Sequence, residues 1–218
     1  VMNLFGFLPA DFNLHDFYLA LYTEQIAGFY DSDEKAMYVV SDSGFGGLER
    51  STYAHEFVHT LQDEHFDFED SLGFSDEACQ EDSECCMAIQ ALIEGDATLT
   101  EQLWFQQFGT QEDMQDLQNF ATNYASPVYD SAPIALKEAL TFPYLYGSKF
   151  TQTLYSQGGF ESIDAAFSTD QPVSTEQIMH PAAYPHDVPD NPTLPNLAKA
   201  LGEGWVELEQ DTLGEWYV

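Results

Sequence analysis

The sequence predicts a helix-dominated α+β fold with a small β-hairpin near the N-terminus. Two β-prone runs, 26–30 and 36–40, flank a polar turn, a pattern typical of a hairpin. Apolar residues then recur at helical spacing over most of the chain. With 218 residues, 44% of them hydrophobic, the chain is long enough to bury one substantial core. We therefore expect a single domain over residues 1–218.

The predicted elements follow in chain order. A mixed apolar and polar pattern predicts an N-terminal helix within 9–25. After a glycine-rich break, Ser51 or Thr52 is expected to cap a helix whose apolar residues Phe57, Val58 and Leu61 face the core. The acidic stretch 63–84 is expected to be irregular. Apolar spacing predicts further helices at 86–108, at 112–124, at 133–156 with a kink or break near Pro143, and at 160–167. At most two helical turns are expected in 174–181, before a proline-rich, mostly extended segment.

The charge balance of the chain excludes some classes of partner. The sequence has 38 Asp and Glu against 5 Lys and Arg, which gives a formal net charge of -33. Such a surface repels phosphate-rich ligands, so nucleic acid and anionic membrane surfaces are poor candidates. Because salt screens self-repulsion, the composition also favours a saline or secreted setting.

The cysteines and the apolar runs bear on location. Cys79, Cys85 and Cys86 lie in the acidic stretch and favour one loop disulfide, from Cys79 to Cys85 or to Cys86, formed in an oxidising compartment. No apolar run reaches the roughly eighteen residues of a membrane span, and no signal-peptide pattern opens the chain. We expect a secreted protein, extracellular, on the cell surface or periplasmic, as a mature or trimmed piece. A capping-box pattern at 212–215 would begin a helix that the chain then truncates.

The segment His55-Glu56-Phe57-Val58-His59 is the motif with the clearest chemistry. Two histidines four positions apart lie on one face of a helix, so both imidazoles can bind one zinc ion at roughly 2.0–2.1 Å. The carboxylate of Glu56 then lies beside the metal, where it can take a proton from an attacking water and pass it to a leaving amine. The motif therefore predicts hydrolysis of a peptide bond with Glu56 as general base.

This pattern resembles the zincin metallopeptidases over a stretch from about Phe29 to Phe108. In that family a small sheet precedes the His-Glu-x-x-His helix. The resemblance implies one catalytic zinc ion, a peptide or protein substrate and a third protein ligand. Glu94, on the next long predicted helix and 35 residues after His59, looks like the third ligand of the gluzincins. That family commonly has Asp four residues later, where this chain has Thr98, and Asp96 is instead a candidate to orient a ligand histidine.

Two further site predictions remain open at this stage. His65 lies six residues after His59, the spacing of the third histidine in metzincins, although Gln62 occupies the position where that branch has Gly. For the oxyanion that develops during hydrolysis, His180 is the first candidate donor, with Tyr144 and Tyr146 as weaker ones.

Rival interpretations use the same residues. The acidic cluster around residues 63–70 could bind calcium, but it lacks an EF-hand loop, and a solvated acidic face explains it as well. The chain could also be an inactive zincin-like scaffold that binds partners, or could hydrolyse a non-peptide amide such as one in a cell-wall substrate.

Overall fold

The computed structural model of the protein describes residues 2–41, 44–190, 192, 194–207 and 210–217. It is a helix-dominated α+β structure with one two-stranded antiparallel sheet among these residues, as the sequence predicts. Its elements are α1 (Leu14–Gln25), β1 (Gly28–Asp31), β2 (Ala36–Val39), α2 (Gly47–Phe66), α3 (Asp76–Glu81), α4 (Ser83–Phe108), α5 (Gln111–Asn123), α6 (Pro127–Ser131), α7 (Ile134–Gly158), α8 (Phe160–Ser168), α9 (Thr175–Met179), α10 (Leu197–Leu201) and a 3₁₀ turn at Glu215–Tyr217.

The hairpin formed by β1 and β2 lies directly on α2. A Cβ atom at Gly28 would be 2.6 Å from the Thr52 methyl carbon and 3.2 Å from Cγ of Glu56, so only glycine lets the strand approach this closely. Two residues further along β1, on the same face, the Tyr30 hydroxyl donates a hydrogen bond to Asp63 at 2.7 Å. The hairpin is therefore fixed to α2 at both ends of the segment that carries the motif.

The main core is built around the crossing of α4 and α7. Gly95 and Gly147 meet at this crossing, where a Cβ atom on either residue would collide with the backbone of the other helix. Because the two backbones are in direct contact here, the helices have little freedom to shift against each other. The core around the crossing is completed by apolar side chains from α7, α8 and α9, among them Phe142, Phe150, Leu154, Ile163, Phe167 and Ile178.

A second, smaller cluster lies under the N-terminal helix. It contains Leu8, Phe17 and Leu21 together with Ala132 and Leu136. Because α7 contributes Leu136 here and Phe142 to the main core, this one helix connects the two clusters. The prediction near Pro143 was a kink or a break, and the break is absent, because α7 runs through Pro143 as one helix.

Helix α2 differs from its prediction in two respects. It begins at Gly47, ahead of the predicted caps Ser51 and Thr52, and the Glu49 carboxylate accepts the backbone N–H of Gly46 at 2.9 Å. Two of the apolar residues that were expected to face the core are instead exposed to solvent. Phe57 and Leu61 are 43% and 49% exposed, and of the three predicted core residues only Val58 is buried. The buried face is mainly polar because its side chains find partners on α4 and in the hairpin; it includes Ser51, Glu56, His59, Gln62 and Asp63.

The acidic stretch 63–84 is more regular than predicted. Helix α2 continues to Phe66, and the short helix α3 follows before α4 begins at Ser83. A disulfide joins Cys79 of α3 to Cys86 of α4, one of the two predicted pairings, and leaves Cys85 as a half-buried free thiol. The bridge holds α3 against the first turn of α4.

The C-terminal part of the chain was predicted to be mostly extended, but its described residues form turns at 181–186 and the short helix α10 beside irregular segments. Residues 212–215, where a capping box predicted a helix start, lead only into the 3₁₀ turn. This segment returns to the core, and the Ser83 hydroxyl donates a hydrogen bond to Asp211 at 2.6 Å. In the described residues, none of the helices combines the length and the apolar character needed to cross a membrane.

Candidate metal centre

The two histidines of the motif lie on the buried side of α2. One helical turn separates His55 from His59, and the centroids of their rings are 4.8 Å apart. Only 14% of the His55 side chain and 10% of the His59 side chain are exposed. The Nε2 atoms of both rings point toward α4, which packs against this face of α2.

Glu94 of α4 completes the group from the opposite side. Its Oε2 atom lies 3.1 Å from Nε2 of His55 and 3.5 Å from Nε2 of His59. One donor atom from each of the three residues falls within 4.8 Å of the others. We call this cluster of His55, His59 and Glu94 the His-His-Glu group. Two imidazole nitrogens and one carboxylate oxygen are a donor set that fits a catalytic zinc ion, which takes three protein ligands.

Each histidine has a second partner on its other ring nitrogen. Nδ1 of His55 faces the Glu101 carboxylate at 3.3 Å, and Glu101 is itself held by a hydrogen bond from the Ser51 hydroxyl. When Nδ1 carries the proton, the lone pair of Nε2 remains available to a metal. Glu101 lies seven residues after Glu94, so both carboxylates project from the same face of α4.

The partner of His59 is a neutral amide. Nδ1 of His59 can donate to Oε1 of Gln62 at 2.9 Å. The amide nitrogen of Gln62 donates to Oδ2 of Asp96 at 2.8 Å and to the carbonyl of Ile93 at 3.1 Å. Because the amide nitrogen of Gln62 donates both of its hydrogens to Asp96 and Ile93, the amide oxygen is the atom that faces the imidazole and accepts its hydrogen bond. Asp96, which the sequence suggested as an orienting residue, thus acts on His59 through Gln62.

The carboxylates of Glu94 and Glu101 make the surroundings of His55 favourable to positive charge. Burial lowers the pKa of His55, but hydrogen bonds with Glu101 and Glu94 outweigh this effect and raise the pKa to about 10. Burial raises the pKa of Glu94, but hydrogen bonds with the two histidines outweigh it and lower the pKa to about 2. Both shifts show that positive charge is stabilised between these side chains. Burial also raises the pKa of the neighbouring Glu56 carboxyl, which is 9% exposed.

Tyr144 of α7 is the aromatic residue that borders the group. Its ring centroid lies 6.3 Å from that of His55, and it lies close enough to Glu94 for the carboxylate to raise its pKa, although burial contributes more to that increase. The crossing of Gly95 and Gly147 explains this placement, because it brings the α7 turn that carries Tyr144 alongside Glu94. Tyr146 instead stacks on Phe142 in the core.

The structure does not bring His180 to the His-His-Glu group. Nε2 of His180 lies 2.9 Å from Glu215, and the side chains of this pair are 53% and 44% exposed. His180 lines a separate cleft with Lys149 and Asp187. The sequence favoured it because a histidine in a late segment suits an oxyanion donor, but α9 packs against the first turn of α4, far along the helix from Glu94.

His65 also lies away from the group. Helix α2 continues through it to Phe66, and the turn that a metzincin-like site requires at Gln62 is absent. Six positions along an α-helix rotate a side chain by about 240° from His59, which directs His65 to solvent. Of the two predicted third ligands, Glu94 is the one within reach of both motif histidines.

A cleft of 570 Å³ opens from the His-His-Glu group. His59 and Glu94 are among its lining residues, and the other lining residues come mainly from the hairpin and from the segment around α3, which we call its two walls. A substrate that lies in this cleft would reach the two ligand residues directly.

No family model matches the chain, and no curated protein or solved structure matches it. The chemistry of the site is therefore inferred from its geometry and from the nature of its donor atoms.

Proposed function

We propose that the protein is a zinc-dependent peptidase with a zincin-like, gluzincin-type site. The observation that carries this proposal is the convergence of His55, His59 and Glu94, with Glu56 on the same helix as both histidines. Three N and O ligands on two packed helices, each histidine with an orienting partner, are the features expected of a catalytic zinc site.

In this proposal His55, His59 and Glu94 hold the metal. Zinc bound there would supply a Lewis acid that polarises a carbonyl and makes water acidic enough to attack it near neutral pH. Glu101 and Gln62 hold the two imidazoles in the orientation and tautomer that the metal requires.

Glu56 is the general base in this proposal. The hairpin packs on its side chain at Gly28, and its carboxyl lies near enough to both histidines for their charges to act on its pKa. Burial raises the pKa of Glu56 and so brings it nearer to neutral, which suits a group that accepts a proton from water and returns it to the leaving amine.

Tyr144 replaces His180 as the proposed donor to the oxyanion. The residue as a whole is 47% exposed, but its hydroxyl end is buried beside Glu94, next to the place where the oxyanion would form. Burial keeps the pKa of Tyr144 well above its ordinary value, so the hydroxyl keeps its proton and can donate a hydrogen bond.

A secreted location is part of the same proposal. The Cys79–Cys86 disulfide supports it, because such bridges persist in oxidising compartments. The net charge of -33 supports a saline environment, and a free energy of unfolding that rises with salt would agree with it.

The test is a Glu56→Gln variant with Glu64→Gln as its control. Glu64 is an exposed residue of the same helix, so its substitution removes the same charge away from the site. We expect Glu56→Gln to keep its zinc and lose at least about 100-fold in kcat, while Glu64→Gln behaves as wild type. Full activity in Glu56→Gln would refute the mechanism. Stoichiometric zinc in a wild-type protein that cleaves no peptide would favour the scaffold interpretation instead.

A further inference from the structure

The cleft beside the His-His-Glu group is unusually acidic on both walls. Asp33 lies on the hairpin wall, and Glu69, Asp76 and Glu77 lie on the opposite wall. None of these four carboxylates has an ion-pair partner within the described residues. Carboxylates confined to a cleft concentrate a negative potential there.

The lysine that lines this cleft makes its ion pair with a fifth carboxylate, that of Asp63, although its charge also acts on Glu69. Nζ of Lys35 lies 2.6 Å from Oδ2 of Asp63, whose side chain is only 1% exposed. Asp63 also accepts hydrogen bonds from the Tyr30 hydroxyl and from the backbone N–H of Phe68. Lys35 is thus paired with a buried anion, and most of the charge of the four other carboxylates remains to be balanced by a ligand or by solvent ions.

The floor of the cleft is apolar. Of its apolar lining residues, Phe68 and Ile93 are buried and Phe74 is half-buried, whereas the four carboxylate residues are exposed, so the apolar side chains lie deeper. An apolar floor with an acidic rim matches a long side chain that has an aliphatic stem and a cationic end, as in lysine and arginine. A hydrated metal ion would make no use of the aromatic floor.

The wall that carries Asp76 and Glu77 is held in place covalently. Both residues lie in α3, which the Cys79–Cys86 disulfide ties to α4, the helix that also carries Glu94. The distance between these carboxylates and the His-His-Glu group is therefore set by one continuous helix and one covalent bridge, which suits a subsite that must hold a side chain in register with the reacting bond.

We propose that this cleft is a specificity subsite for a lysine or arginine side chain of the peptide substrate, close to the bond that is cleaved. The inference rests on the proposed peptidase function and names its substrate class. Asp33, Glu69, Asp76 and Glu77 bind the cationic end, and Phe68, Phe74 and Ile93 contact the aliphatic stem.

The first experiment is a competition between two peptides in the same tube. They differ only in one residue near the scissile bond, which is lysine in one and Nε-acetyl-lysine in the other, and a pair is made for each side of that bond. Because the two substrates share one enzyme, the ratio of their kcat/KM values does not depend on the folded fraction or the zinc content. We expect the lysine peptide to be preferred roughly fivefold, and the preference to fall as salt is raised.

A double variant tests the residues. Asp76→Asn with Glu77→Gln is expected to bring the preference close to one, whereas Glu112→Gln with Glu138→Gln, which removes two exposed charges elsewhere, leaves it unchanged. Binding of both peptides to the Glu56→Gln variant, measured by titration calorimetry, is expected to show the same preference without turnover.

The outcomes separate the two proposals. Cleavage of both peptides at equal rates, or a preference that survives in the Asp76→Asn/Glu77→Gln variant, would overturn the subsite and leave the peptidase intact. If wild-type protein with bound zinc cleaves neither peptide nor any protein substrate, the peptidase proposal fails, and the substrate inference fails with it.

Discussion

Two histidine–glutamate pairs in this molecule have nearly the same distance and very different surroundings. Nε2 of His55 lies 3.1 Å from Glu94, and Nε2 of His180 lies 2.9 Å from Glu215. The first pair is 14% and 15% exposed, and the second is 53% and 44% exposed. His55 also has an orienting carboxylate and a second histidine beside it. The difference shows that convergence and burial, more than a short distance, mark a candidate metal centre.

A third pair lies between these extremes. Asp63 is almost fully buried, while its partner Lys35 is 63% exposed. It joins the hairpin to α2 and carries no expected chemistry of its own. Substitutions in and around the buried, the intermediate and the exposed pair should therefore have effects of different size.

The largest effect is expected for Tyr144→Phe. Loss of a donor to the oxyanion should lower kcat by about 100-fold or more while the zinc content stays the same. Tyr146→Phe is the control, because Tyr146 packs on Phe142 and lies outside the site. Steady-state kinetics with zinc analysis on the same samples checks this, and an unchanged kcat in Tyr144→Phe would remove Tyr144 from the mechanism.

Loss of an orienting partner is expected to weaken zinc binding without abolishing it. Glu101→Gln and Gln62→Ala should each lower zinc affinity by about 10- to 100-fold, because the imidazoles lose the groups that fix their tautomer. Gln102→Ala, at an exposed neighbouring position, is expected to bind zinc as wild type does. Competition against a chromogenic chelator measures the affinities, and wild-type values for both site variants would show that the partners are incidental.

The Asp63→Asn variant tests the pair of Lys35 and Asp63 through the pH dependence of the free energy of unfolding. Burial raises the pKa of Asp63, but hydrogen bonds from Lys35 and Tyr30 outweigh it and lower the pKa. A lowered folded-state pKa contributes stability that is present above the unfolded value of about 4 and is lost as pH falls through the folded value. We expect Asp63→Asn to lose about 1–3 kcal/mol of unfolding free energy at neutral pH, and less in acid. Urea unfolding at both pH values checks this, and a difference that grows in acid would contradict the assignment.

The smallest effect is expected for His180→Ala. An ion pair whose partners are about half exposed contributes less than about 1 kcal/mol, so stability should barely change and kcat should not change. A large loss of kcat with normal zinc content would return His180 to the site and would break the comparison between the two pairs.

The sequence predicted those residues of the candidate site whose relative positions follow from the geometry of a single helix. The spacing of His55 and His59 follows from helical periodicity alone, and the choice of Glu94 followed from a family resemblance. Glu101 and Gln62 were not singled out, since their roles depend on how α2 crosses α4. Glu101 could have been found by asking which acid shares a helical face with Glu94.

The wrong prediction of which residues of α2 are buried also arose because the packing of α2 against other elements cannot be read from the local sequence. Phe57 and Leu61 were expected inside because apolar side chains are usually buried, yet the inward face of this helix is largely polar. Burial of polar groups depends on partners from elsewhere in the chain, which a local pattern does not contain. The position of His180 was missed for the same reason, because the close crossing at Gly95 and Gly147 decides which late segment borders Glu94, and that segment carries Tyr144.

The most direct test of the account is elemental analysis of bound metal in the wild type, Glu94→Ala and His65→Ala. The account predicts one zinc per chain in the wild type and in His65→Ala, with most of it lost in Glu94→Ala. Zinc that survives loss of Glu94, or that disappears with His65, would contradict the His-His-Glu group as the metal centre.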